Sequence, residues 1–186
     1  MPMSIPNVLA IVRLLATPVA MLLILASPDN DTARIAGVIV FVAASLTDYA
    51  DGYLARRWQI TTTLGGFLDL LADKVLVTGA LIALVEIGTT STWAAFFIIA
   101  REIAVMALRS VAALDQSTVP PSAWGKSKAA IQFTAISFAI LHLDVDIGPW
   151  RLDQWLMAVA VIVTLVSAGD YFSRFRAVLS PQRDKS

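Results

Sequence analysis

Apolar residues fall along this chain in six long runs separated by short polar stretches. A hydrocarbon core takes about 20 helical residues to cross. The runs predict helices over 8–26, 33–56, 64–86, 92–114, 127–143 and 153–176. Between them lie the polar breaks 27–31, 57–63, 87–91, 115–122 and 144–149, and a polar tail closes the chain from Ser180. No internal repeat interrupts this order, so 1–186 reads as a single domain. Met1–Asn7 lacks the basic start of a signal peptide, and Arg13 and Pro18 interrupt the run that follows. The segment 8–26 is therefore expected to remain as a first span.

The second run breaks the pattern. Ile35–Thr47 holds only thirteen uncharged residues, too few to cross alone. The helix must continue into DYADGYLARR, from Asp48 to Arg57. At about 1.5 Å per residue, Asp48 lies roughly 20 Å from Ile35, and Asp73 lies about 18 Å from Val85 at the outer end of the third run. The two depths agree. At about 100° per residue, Asp48, Asp51, Gly52 and Ala55 share one face, as do Gly65, Asp69 and Asp73. Small Gly52, Ala55 and Gly65 permit close backbone approach. Four carboxylates are thus expected to converge between the second and third helices.

Composition supports the membrane reading. The chain is 58% hydrophobic, and its mean hydropathy is +0.74. The expected fold class is all-α, a polytopic membrane protein with six transmembrane helices. No cysteine is present, which excludes disulfides and thiolate chemistry. The net charge is zero, without the basic excess that nucleic acid would require. With the N-terminus inside, the outer loops carry only Arg34 and Arg151, and the other twelve bases lie on the inner side. Lysine and arginine favour the cytoplasmic side, so both termini and the acids are expected there.

Four anions at that depth must be protonated, paired with bases or bound to cations. All-oxygen ligation selects hard ions such as Mg²⁺, Mn²⁺ or Ca²⁺. Two metals held by carboxylates would neutralise a diphosphate. A cation or proton relay is the other reading of intramembrane acids. One shared depth, rather than a path across the membrane, speaks against it.

The spacing Asp48-x2-Asp51-Gly52-x2-Ala55-Arg56-x8-Gly65-x3-Asp69-x3-Asp73 resembles the signature of the CDP-alcohol phosphotransferases at every position. The resemblance implies that Asp48, Asp51, Asp69 and Asp73 bind two divalent cations, with Asp73 also the general base. It implies that Gly52, Ala55, Arg56 and Gly65 line a CDP site, and that the protein forms a homodimer. SIPNVLAIVR (Ser4–Arg13), FLDLLADKVLV (Phe67–Val77), REIAVMALR (Arg101–Arg109) and GKSKAAIQ (Gly125–Gln132) are most similar to one branch of the family. That branch joins CDP-diacylglycerol to sn-glycerol 3-phosphate and releases CMP. Ala10 and Ala129 stand where the pattern has threonine, and Leu70 where it has proline. Phosphatidylglycerol or inositol phosphate remain alternative acceptors.

An anionic acceptor needs bases near the metals. Arg101 and Arg109 on the fourth helix, with Lys126 and Lys128 at the start of the fifth, are the candidates for its phosphate. Arg101 could instead pair with Glu102, and the lysines could simply anchor a helix start among headgroups. Lys74 is expected to pair structurally with a carboxylate. Arg57 and the tail bases are expected at lipid headgroups. His142, Trp93, Trp150 and Trp155 are expected at the outer boundary, and Tyr49 and Tyr53 in packing.

Overall fold

The computed structural model describes residues 5–58, 63–114 and 124–179, with side chains for 8–47, 71–112 and 127–175. Six helices form: α1 (Ile5–Leu25), α2 (Asp31–Trp58), α3 (Thr63–Glu86), α4 (Thr92–Leu114), α5 (Trp124–Leu141) and α6 (Leu152–Leu179). Each lies within three residues of its expected ends. The start of α2 is capped by Asn30, whose Oδ1 accepts the Ala33 N–H at 3.1 Å. The break before α6 holds an unexpected two-residue hairpin, in which β1 (Asp146–Ile147) pairs antiparallel with β2 (Trp150–Arg151). Gly148 turns it with a φ of 66°, a left-handed conformation that side chains resist.

The packing is inverted relative to a water-soluble bundle. On α1 the buried stripe is Ala10, Arg13, Thr17, Ala20 and Ile24, whereas Leu15 and Leu22 are 66% and 68% exposed. On α6 the buried stripe is Met157, Ala160, Thr164, Ser167 and Tyr171, with Ile162 and Phe172 outside. Most of these buried positions are small or polar, Ile24, Met157 and Tyr171 excepted, and the most exposed are large and apolar. A shared apolar core nevertheless joins α2 to α6, around Phe41, Leu76, Leu81, Ile98, Ile136 and Met157. The Phe41 and Phe133 rings meet in it at 6.0 Å.

Among the described residues, two stretches are long and apolar enough to cross a membrane, Val8–Leu25 and Leu152–Phe175. Ser127–Leu141 is a shorter apolar stretch. Arg101, Glu102 and Arg109 interrupt the apolar run of α4, and Asp73 and Lys74 interrupt that of α3.

Among the described residues, α1 packs on both α2 and α3 more extensively than those two pack on each other. Arg13, fully buried, reaches α2: its Nε donates to the Ala44 carbonyl at 3.2 Å and to Thr47 Oγ1 at 3.4 Å. Thr17 Oγ1 returns a bond to the Arg13 carbonyl at 3.1 Å. On the other side, Gly79 of α3 lies against α1. A Cβ there would sit 2.8 Å from Thr17 Cγ2 and 2.9 Å from Met21 Sδ. Among the described residues, α1 is thus the main element tying α2 to α3. Gly79→Val should destabilise the protein by about 1–3 kcal/mol, because the buried Thr17 is too short to swing aside. Thermal unfolding in detergent micelles checks this, and an unchanged midpoint would contradict the close contact.

Candidate active site

A cleft of about 150 Å³ opens between α3, α4 and α5. Asp73 and Lys74 reach it from α3, Arg101, Glu102 and Arg109 from α4, and Lys128 and Gln132 from α5. Helical spacing explains the α4 contribution: Arg101, Val105 and Arg109 recur every four residues, so one face lines the cleft. Lys128 and Gln132 repeat that spacing on α5.

Charges in the cleft are arranged around Glu102, which is 7% exposed. Its Oε1 accepts from Arg101 Nη1 at 3.1 Å and also from Lys128 Nζ. Its Oε2 lies 2.7 Å from Lys74 Nζ. The same ammonium donates to Asp73 Oδ2 at 2.7 Å. One carboxylate therefore gathers bases from three helices, and Lys74 links it to Asp73. Arg101 Nη2 donates to Ser167 Oγ on α6 at 2.9 Å, and Gln132 Nε2 donates to Thr164 Oγ1 at 2.9 Å. These bonds explain the polar buried stripe of α6. Arg101 Nε and the Tyr171 hydroxyl are buried and have no hydrogen-bond partner among the described residues. The Arg109 guanidinium rests 5.6 Å from the Tyr171 ring centroid, a cation–π contact.

Four of the expected site residues, Asp73, Arg101, Arg109 and Lys128, meet in this one cleft. Arg101 does pair with Glu102. Lys128 is 5% exposed and paired rather than spread among headgroups. Lys74 pairs with carboxylates as expected. Asp48, Asp51, Gly52, Ala55 and Arg56 lie on α2, Gly65 and Asp69 on α3 and Lys126 on α5. The side chains of those residues, and of Tyr49, Tyr53, Arg57 and Leu70, lie outside the described residues. Ala129 lines the cleft, so its departure from threonine removes a hydroxyl from the wall, whereas Ala10 is fully buried on α1.

Glu102 is the residue that sequence reasoning undervalued, treating it only as a neighbour of Arg101. An acid in mid-helix between apolar residues is costly without partners, and that cost was the available signal. At the opposite end, His142 Nδ1 lies 3.2 Å from Asp153 Oδ2 and also contacts Arg151. Arg151 Nη2 donates to Asp153 at 2.8 Å, and this bond raises the guanidinium pKa above its ordinary value. Trp150 and Trp155 meet nearby with ring centroids 4.6 Å apart, tilted by 50°, and Trp93 is 71% exposed.

Comparison with known proteins shows the family. The profile of the CDP-alcohol phosphatidyltransferases matches residues 3–166. The chain belongs to that family. A Bacillus subtilis strain 168 protein, CDP-diacylglycerol–glycerol-3-phosphate 3-phosphatidyltransferase, is 37% identical over 182 residues, covering 92% of this chain and 94% of its own. A Mycobacterium tuberculosis CDC 1551 protein named "Probable phosphatidylglycerophosphate synthase" is 34% identical over 173 residues, covering 92% and 81%. A Rickettsia bellii protein with the same name as the Bacillus one is 33% identical, covering 91% and 93%. The family match includes both the acid-bearing helices and the basic cleft.

Ser167→Ala would leave Arg101 Nη2 without its α6 partner. Removing a hydrogen bond to a buried charge costs about 1.5–3 kcal/mol. The unfolding midpoint in detergent should fall accordingly, while Ser173→Ala, at an exposed hydroxyl bonded to its own helix, should leave it unchanged.

Proposed function

We propose that this protein transfers the phosphatidyl group of CDP-diacylglycerol to sn-glycerol 3-phosphate, giving phosphatidylglycerophosphate and CMP in glycerophospholipid biosynthesis. The observation that carries this reading is the cleft itself, in which Asp73 shares a wall with Arg101, Arg109 and Lys128. A proton acceptor and a phosphate-binding surface stand side by side. The names of the similar proteins support the same reaction.

Asp73 accepts the proton of the acceptor hydroxyl. The oxygen forms a bond to the β-phosphorus of CDP-diacylglycerol, the bond from that phosphorus to the bridging oxygen breaks, and CMP leaves with the electron pair. Arg101, Arg109, Lys126 and Lys128 bind the acceptor phosphate, arginine by its planar fork. Gly52, Ala55, Arg56 and Gly65 line the CDP site.

Asp73 offers the cleft a carboxylate oxygen, and all four proposed ligands are carboxylates. Among the described residues no three His, Cys, Asp or Glu gather, and the other three ligands, Asp48, Asp51 and Asp69, lie outside that set. This donor chemistry fits Mg²⁺ or Mn²⁺. Two such ions held by Asp48, Asp51, Asp69 and Asp73 would offset the charge of the diphosphate.

All six helices cross the membrane in this reading, with both termini and the cleft at the cytoplasmic side of a bacterial inner membrane. The outward apolar faces of α1 and α6 support it, since such surfaces need lipid or protein cover. Asp73, Lys74, Arg101 and Glu102 are paired within the bundle, so these charges need not prevent a crossing. The chain acts as one domain and assembles as a homodimer.

Purified protein should release CMP from CDP-diacylglycerol only with a divalent cation and glycerol 3-phosphate. Phosphatidylglycerol and inositol phosphate in the same assay should give little product. Asp73→Asn should lower kcat roughly 10²–10⁴-fold, the usual reach of general-base catalysis. Full activity in that variant would sink the base assignment.

A further inference from the structure

We infer that Glu102 is the positioning residue of the acceptor site, holding Lys74, Arg101 and Lys128 as one platform for the acceptor phosphate. The inference deepens the proposed function and rests on it. Both carboxylate oxygens are already engaged, Oε1 by Arg101 and Lys128 and Oε2 by Lys74. Glu102 therefore acts through the bases rather than on the substrate.

Like charges from three helices would repel and spread apart without a shared counterion. The anion also fixes where each base points. Arg101 is held on two sides, by Glu102 and Ser167, while its buried Nε has no hydrogen-bond partner among the described residues. Lys74 spans from Glu102 to Asp73, so the same carboxylate sets the spacing between the phosphate platform and the proton acceptor. Arg109 is held separately, over the Tyr171 ring.

A purely structural acid would lower folded yield without favouring one substrate. A positioning acid changes the acceptor term selectively. In Glu102→Gln the KM for glycerol 3-phosphate should rise about tenfold or more, while the KM for CDP-diacylglycerol stays within about twofold. Glu102→Asp keeps the charge one methylene shorter and should give an intermediate rise of about threefold or more. Glycerol 3-phosphate should raise the unfolding temperature of the wild type and have a much smaller effect on both variants. An equal rise in both KM values, or an unchanged KM for glycerol 3-phosphate, overturns the inference. If Glu102→Gln does not fold, Glu102→Asp decides by the same measures. The wild-type arm tests the parent reading separately. If the wild type uses another acceptor, the proposed function fails, and the KM split measured with that acceptor still decides the role of Glu102.

Discussion

The arrangement of the cleft depends on one buried carboxylate. Isolated ions taken from water into a low-dielectric interior cost several kcal/mol each, and removing one partner from a buried ionic cluster leaves the others uncompensated. Glu102 meets Lys74, Arg101 and Lys128 at once, so three helices share a single electrostatic centre. The bases can be kept at depth because they arrive there already paired. They remain available to a ligand because each base has more donors than Glu102 can occupy.

The inverted packing of α1 and α6 follows the same logic. Where the outside is apolar, large aliphatic side chains gain nothing by turning inward, and small or polar ones bring helices together. Arg13 binds α1 to α2 by hydrogen bonds, and Thr17 meets Gly79 of α3 by close approach. Thr164 and Ser167 do so for α6, and their partners are Gln132 and Arg101, both in the cleft wall. Bundle stability and site geometry thus draw on the same buried polar groups.

The proposed donor and acceptor halves of the site meet at Asp73 and Lys74. Asp73 ends the acid motif that runs through α2 and α3, and Lys74, the next residue, begins the basic cluster that continues into α4 and α5. Adjacent residues on a helix point about 100° apart, so one side chain can serve the acid face while the next turns toward α4. Catalysis between two anionic substrates needs such a border, where negative ligands for cations and positive groups for phosphate lie a few ångströms apart.

Much was legible from the sequence because long helices are written in simple terms. Apolar run length set the six helices to within three residues, since each run is long enough for a helix and ends at polar or turn-forming residues. Helical spacing and depth put the bases Arg101, Arg109 and Lys128 on the same side as Asp73, and the cleft brings them together. Contacts between helices were not legible, because periodicity says which face is special but not what it meets. Only the tertiary structure decided that α1 ties α2 to α3, that Ser167 holds Arg101, and that Glu102 gathers the bases. Each of these joins residues distant in sequence, and it arises from the packing of several helices together, which no local pattern encodes.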